Sequence, residues 1–362
     1  MNFKEKNMNV LSLFDGMSCG RIALDRLGIK VDNYYASEID KYAMQVSAAN
    51  YPDIIQVGDV TELDTSTLPN IDLVMGGSPC QGFSFAGKQL AFDDPRSALF
   101  FEFVRCVKEL KPKYFLLENV RMKKEYLDII SEQMGVEPIM INSALVSAQN
   151  RVRYYWTNIP GIEQPEQRGI VLRDILEDGF DSERDKAYCI DANYYKGASV
   201  EQYKKKCRRQ LVYQEETHDT PKQVGVAVDI KGHDQIKRVY SEDGKSSTLT
   251  TCGGGHREPK VLAGAIRGRY KDDGSIEQKL ELRQGGKSNS LTTVQKDNVV
   301  TKDEVYWRKL TPVECERLQT VPDNYTNHVS NTQRYKMLGN GWTIEVITHI
   351  LNNLHEYLVP SR

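Results

Sequence analysis

The sequence predicts an α/β protein: an open parallel sheet flanked by helices, with a smaller, mostly β and irregular domain inserted late in the chain. Residues 9 to 160 alternate short apolar runs with stretches of helical period, the rhythm of strand–helix–strand units. From 161 to 305 the texture changes to tyrosines, short charged runs and many glycine, threonine and serine residues. Helical order returns from Trp307. Residues 1–160 therefore read as the first part of the main domain, 161–305 as the inserted one, and 306–362 as a segment that completes the first.

Asn9 to Phe14 is the first strand. A glycine-bearing loop, Asp15-Gly16-Met17-Ser18-Cys19-Gly20, opens a helix whose Ile22, Leu24 and Leu27 turn inward and whose end Gly28 marks. A second strand ends at Ala36-Ser37-Glu38, and a helix from Lys41 to Asn50 stops before Pro52. Ile54 to Val57 is a third strand, ending at Gly58-Asp59, and Ile71 to Met75 a fourth. Leu99, Phe100, Phe103, Val104, Val107 and Leu110 then recur at helical spacing, and Pro112 prevents extension. Tyr114 to Leu117 makes a fifth strand that delivers Glu118. In the last segment Thr311-Pro312-Val313-Glu314 combines a capping box with proline at the first helical position. A final helix, about Thr343 to Leu358, carries Ile344, Ile347, Ile350, Leu351 and Leu354 on one face, which must pack on the N-terminal sheet.

With 362 residues and 40% hydrophobic content the chain can bury a sizeable core. A net charge of −2 means that any nucleic-acid site must be a local basic face. Seven dispersed cysteines without a Cys-x-x-Cys pair read as a reduced, cytoplasmic chain. The first residues lack the apolar core of a signal peptide, and no apolar run reaches the ~18 residues of a membrane span, so no membrane role is expected. Cys252 and His256 could be half of a zinc site, but no second pair has ligand spacing, and no metal is expected.

The chemistry gathers at the strand ends. Gly76-Gly77-Ser78-Pro79-Cys80-Gln81-Gly82-Phe83-Ser84 follows the fourth strand, and Pro79 holds its predecessor extended, so Cys80 is aimed into the crevice of the sheet as a nucleophile. The alternative for Cys80 taken alone is a small buried hydrophobe. The loop glycine Gly16 lets backbone approach a ligand, Glu38 can accept both hydroxyls of a ribose, and Asp59 can accept from an adenine amino group. The loop lacks the Gly-x-Gly-x-x-Gly spacing that cradles a pyrophosphate, which disfavours a nicotinamide enzyme. Glu118 is a candidate to donate to a ring nitrogen. Gln149-Asn150-Arg151-Val152-Arg153 supplies two arginines on one side of a strand, able to bind a base oxygen and to lower the pKa of Cys80. Taken singly, Glu118 could equally be a salt-bridged surface acid and the arginines a solvated strand edge.

Together the blocks Phe14-Asp-Gly-Met-Ser-Cys-Gly20, Glu38-Ile39-Asp40, Gly58-Asp59-Val60, Pro79-Cys80-Gln81, Glu118-Asn119-Val120, Gln149-Asn-Arg-Val-Arg153, Leu310 to Gln319 and Leu338-Gly339-Asn340 resemble, in order, those of the cytosine-C5 DNA methyltransferase family. The resemblance covers most of the chain outside 160–305. It implies a Rossmann-like, S-adenosylmethionine-dependent sheet carrying a target-recognition domain. The cofactor, released as S-adenosylhomocysteine, would be held by Phe14, Gly16, Met17, Gly20, Glu38, Ile39, Asp59, Val60, Pro79, Leu99, Asn340 and Trp342. Cys80, Glu118, Arg153 and Arg151 would act on a cytosine flipped out of double-stranded DNA. Gln81 to Phe92 would close over the DNA as a mobile loop, with Gln81, Ser84 and Arg96 as DNA contacts. The sequence departs from the family where Gly341-Trp342 follows Asn340, since bacterial members more often carry Ser-Val there, and where Ala86 replaces a serine found in some members.

In the inserted domain, Thr250-Thr251-Cys252-Gly253-Gly254 offers hydroxyls and pliant backbone to a groove; the family carries a similar element, so Thr250, Thr251, Gly253 and Gly254 are expected on DNA. Gly244 to Thr251 recurs as Gly286 to Thr293, which also reads as two plain β-strands. Lys204-Lys205-Lys206-Cys207-Arg208-Arg209 suits backbone phosphates or a solvated face equally. The reading is a DNA cytosine-5 methyltransferase of the restriction-modification, orphan or phage type, monomeric, with or without a cognate restriction endonuclease. Its rivals are a transfer-RNA cytosine-C5 methyltransferase, whose Pro-Pro-Cys-Gln-Pro-Phe-Thr segment is absent here, and a catalytically silent DNA-binding regulator, which has no chemical reason to keep Cys80, Glu118 and Arg153.

Overall fold

The structure, a computed structural model, describes residues 7–79, 98–179, 184–197, 200–207, 209–214, 223–226, 238–240, 260–261, 264–270, 276–282 and 306–354. Cys80, Gln81, Ser84, Arg96, Thr250, Thr251, Gly253 and Gly254 lie outside these residues, as do both copies of the repeat.

The central sheet is built from β1 (Met8–Leu13), β2 (Val31–Ser37), β3 (Ile55–Gln56), β4 (Leu73–Gly76), β5 (Tyr114–Val120), β6 (Ile139–Asn142) and β7 (Val152–Thr157). Its order is β3-β2-β1-β4-β5-β7-β6. The first five strands are parallel, with α1 (Cys19–Arg26), α2 (Lys41–Asn50) and α3 (Ala98–Leu110) among their connections. β7 runs antiparallel to both β5 and β6, so the expected parallel sheet is mixed. The reason is length: Ser143–Arg151 between β6 and β7 is too short for the crossover of a dozen or more residues that parallel neighbours need. Strand order reverses between β1 and β4, and ligands of such sheets bind in the crevice beyond the carboxyl ends at that switch point.

Period-two alternation along β1 sends Met8 and Val10 to one face of the sheet and Leu11 and Leu13 to the other. On the first face they meet Ile22 and Leu24 of α1, and the last helix α8 (Ile344–Leu351) through Ile344, Ile347, Ile350 and Leu351. On the second they meet Phe100 and Phe103 of α3, and Tyr126 and Ile130 of α4 (Lys124–Met134). The C-terminal segment thus packs on the N-terminal sheet, as its apolar face requires. The capping box forms as well: Thr311 Oγ1 accepts from Glu314 N at 3.2 Å and Glu314 Oε2 accepts from Thr311 N at 2.7 Å, at the start of α6 (Pro312–Leu318). Ile347 is fully buried. Ile347→Ala is expected to lower stability by about 2–5 kcal/mol, read as a lower urea midpoint at unchanged slope.

Two compact units emerge: Met1–Tyr213 with Trp307–Arg362, and Gln214–Tyr306. Residues 161–213, placed with the inserted domain by their texture, group with the first unit. Their tyrosines explain it, because they are core residues rather than loop polarity. The buried Tyr194 hydroxyl accepts from Leu310 N at 2.9 Å, and its ring meets Tyr335 edge-on at 5.6 Å between centroids. The helix α5 (Val200–Lys206) in this stretch presents an exposed Lys204-Lys205-Lys206 run. In the second unit, Gly264–Tyr270 and Ile276–Leu282 pair as an antiparallel hairpin, and Gln223–Val226, Arg238–Tyr240 and Lys260–Val261 form a three-stranded sheet.

Candidate active site

A cavity of about 400 Å³ opens beyond the carboxyl ends of β1, β2, β4 and β5. It collects Phe14, Gly16, Met17, Glu38, Ile39, Asp59, Val60, Pro79, Leu99, Asn340 and Trp342, together with Glu118, Arg151 and Arg153. Of the anticipated cofactor residues only Gly20 does not line it. A Cβ at Gly20 would lie 2.5 Å from the Met75 methyl and 2.6 Å from its sulfur, so this glycine lets α1 pack against β4 rather than admitting a ligand.

The chain leaves β1 through two left-handed non-glycine residues, Phe14 at φ 55° and Ser18 at φ 61°. Strain of this kind costs of order 1–3 kcal/mol per residue and is held only where the surroundings impose it. Glu38 imposes part of it: its Oε2 accepts from Gly16 N, and its Oε1 from Ile39 N and Asp40 N, each at 2.7 Å. One carboxylate therefore ties the first loop to the turn after β2. Asp59 is held likewise, with Oδ1 accepting from Thr61 N and Oγ1 at 2.9 Å. Beside these acids Ile39 is 75% exposed, an apolar surface that nothing in the described fold covers. Two anchored acids beside an uncovered apolar side chain fit a nucleoside cofactor.

Asp15 also lines the cavity, and the sequence reading passed over it inside its own loop block. Its Oδ2 accepts from Ser18 Oγ at 2.5 Å and its Oδ1 from Tyr34 Oη at 2.8 Å. Burial, opposed by these hydroxyls and aided by the charge of Glu38, pushes its carboxyl up to about 6 from an ordinary 3.8. The native state therefore holds this proton longer than the unfolded chain does, and stability is lost as pH rises from about 4 to about 6, by roughly 3 kcal/mol. Asp15→Asn should remove that slope. Urea midpoints of variant and wild type, compared at pH 4.5 and 7, should diverge in favour of the variant at pH 7; parallel values would refute it.

At the chemical end, β5 carries Glu118 to the cavity floor, and β7 lies alongside with Arg153 opposite Val120. Glu118 is 8% exposed. Its Oε1 is 2.9 Å from Arg153 Nε, and its Oε2 accepts from Trp342 Nε1 at 3.1 Å. Gly77 makes the approach possible, since a Cβ there would stand 2.9 Å from both Glu118 Oε2 and Trp342 Nε1. Asn119, the next residue of β5, donates to Ser78 Oγ at 3.2 Å and so ties the strand to the segment leading to Cys80.

Arg151 does something else. Its guanidinium donates to Gly339 O at 3.1 Å, Gly341 O at 2.8 Å and Ile190 O at 3.1 Å. Gly341 follows α7 (Asn331–Asn340), so this cation caps a helix C-terminus. Its field also falls on Cys189. Burial pushes the Cys189 thiol up, but Arg151, 3.3 Å from its sulfur, and Arg153 outweigh burial and hold the thiol below its usual value. The two arginines were paired in one role because they are two residues apart; only Arg153 meets Glu118.

Known proteins resemble this chain along nearly its whole length. The C-5 cytosine-specific DNA methylase family matches residues 8–356. The orphan methyltransferase M.SPBetaI of Bacillus phage SPbeta is 30% identical over 437 aligned positions, covering 97% of this chain and 98% of that protein. The type II methyltransferase M.HhaI of Haemophilus parahaemolyticus is 29% identical, covering 96% and 94%. Among solved structures, the Entamoeba histolytica methyltransferase EhMeth shares the fold, with a TM-score of 0.59 over 98% of both chains at 16% identity. Matches that span nearly the whole chain mean that it belongs to the C-5 cytosine-specific DNA methylase family: it is a DNA cytosine-5 methyltransferase.

Proposed function

We propose that this enzyme methylates C5 of a cytosine flipped out of double-stranded DNA at a specific short sequence, through a covalent bond between Cys80 and C6. One observation carries the reading: Pro79, immediately before Cys80, lines the same cavity as Glu118, Glu38 and Asp59. The candidate acid and cofactor residues thus share one space with the residue that precedes the nucleophile. S-adenosylmethionine, when bound, supplies the methyl group on a sulfonium. Glu38 and Asp59 hold its ribose and adenine, and Phe14, Ile39, Val60 and Leu99 cover its apolar faces.

C5 of cytosine is a feeble nucleophile, and attack of the Cys80 thiolate at C6 converts it into an enamine carbon. Charge builds at N3, where Glu118 delivers a proton, while Arg153 binds the base O2 and keeps its hold on Glu118. The enamine C5 then takes the methyl group as the methyl–sulfur bond breaks, leaving the neutral thioether of S-adenosylhomocysteine; the C5 proton passes to water, N3 returns its proton to Glu118, and the Cys80–C6 bond breaks to free the thiolate and restore the ring. Ser84 and Arg96 contact the phosphates beside the flipped base, and Gln81 contacts the DNA. Thr250, Thr251, Gly253 and Gly254 read the duplex from the target-recognition domain, whose centre is the unit Gln214–Tyr306. The enzyme acts as a monomer, either beside a restriction endonuclease of the same specificity or, as the name of the phage SPbeta relative suggests, as an orphan.

The test is bisulfite sequencing of DNA from cells without cytosine methylation of their own that express this chain. Protected cytosines in a single short context are expected. Absence of protection at good expression would move the substrate to RNA, checked by transfer of tritiated methyl groups to transfer RNA.

A further inference from the structure

Trp342 enters the cavity from the C-terminal segment, just before the helix that packs on the sheet. Its backbone neighbourhood is pinned: Gly341 O accepts from Arg151 Nη2 at 2.8 Å and from Gln319 Nε2 at 3.1 Å. The indole Nε1 then donates to Glu118 Oε2 at 3.1 Å, while Arg153 Nε stands 2.9 Å from Oε1. Each carboxylate oxygen has its own partner, an N–H donor on Oε2 and the cation of an ion pair beside Oε1, and the two come from different parts of the fold. A carboxylate held through one oxygen can still swing; held through both, its plane is set.

We infer that Trp342 is a positioning residue for Glu118, fixing the orientation in which that carboxyl meets the base. This goes beyond a place in the cofactor wall, and it rests on the methyl-transfer reading above. The chemistry of the partners sharpens it. An indole N–H and a guanidinium can only donate, so neither contact can hold a carboxyl proton. Any proton Glu118 carries is left for the cavity. Gly77 belongs to the same device, since a side chain there would push Glu118 and Trp342 apart.

The decisive variant is Trp342→Phe, which keeps an aromatic ring and removes the N–H. Affinity for S-adenosylhomocysteine, measured by calorimetry, is expected to stay within about threefold. The single-turnover rate of methyl transfer to unmethylated plasmid DNA is expected to fall roughly 10- to 100-fold, the loss of one buried hydrogen bond to a charged group. The chain has three tryptophans, so an 15N-labelled sample gives few indole resonances, and the one missing in Trp342→Phe belongs to Trp342. That resonance should move in Glu118→Gln. An unchanged rate, a loss confined to cofactor affinity, or an indole resonance indifferent to Glu118→Gln would overturn the assignment. Should the wild type transfer no methyl group to any DNA, the functional reading fails by itself, and the resonance still decides whether the contact exists.

Discussion

Cys80→Ala is expected to abolish methyl transfer, by on the order of 10⁴-fold or more, while binding of DNA and of S-adenosylhomocysteine survives. Without addition at C6 there is no enamine, and the remaining site can only hold an aromatic ring near a methyl donor. Alanine removes one sulfur atom, so folding and both binding surfaces should persist. Gel-shift affinity beside single-turnover rates separates these effects, and the loss of all bisulfite protection in cells expressing the variant gives the same answer in vivo. Turnover equal to that of the wild type would remove Cys80 from the mechanism altogether.

Glu118→Gln should cost roughly 10²- to 10⁴-fold in the same rate, the range of a lost general acid. Glutamine keeps the volume and can still take a hydrogen bond from Trp342, so the cavity should keep its shape. It cannot pass a proton to N3. It also leaves Arg153, whose side chain is only 14% exposed, without the carboxylate beside it. Breaking a buried pair by removing one partner costs about 3–5 kcal/mol, so a lower melting temperature should accompany the slower rate. Retained affinity for S-adenosylhomocysteine would show that the loss is chemical. Near wild-type transfer would mean that charge at N3 is met by another group.

Much of the fold was legible locally. Strands that end in an acid or a glycine, as at Glu38, Asp59 and Gly76, announce a ligand crevice, because the sheet brings consecutive strand ends to one side. The capping box at Thr311 was equally plain. Lys124–Met134 could have been read and was not: Tyr126, Ile130 and Met134 recur every fourth residue, and Gly135 closes the helix at φ 69°. The tyrosines of 161–213 misled for a different reason. Scattered aromatics without period resemble an irregular domain, and only their partners, Leu310 and Tyr335 from the C-terminal segment, reveal them as core.

What the sequence determined by itself was the family and a set of candidate reacting groups in order, since a candidate nucleophile, acid and ribose-binding carboxylates are read from residue type and strand position. Tertiary structure alone decided which groups share work. Arg151 and Arg153 stand two apart on one strand, yet one is spent on the carbonyls of Gly339 and Gly341 and the other on Glu118. Trp342, which in sequence looked like a change in the cofactor wall, reaches across 224 positions to the Glu118 carboxyl. Period and composition carry no information about such pairs, because a hydrogen bond depends on where two side chains arrive in space, and that is settled only when the last helix packs on α1 and joins the core under the sheet.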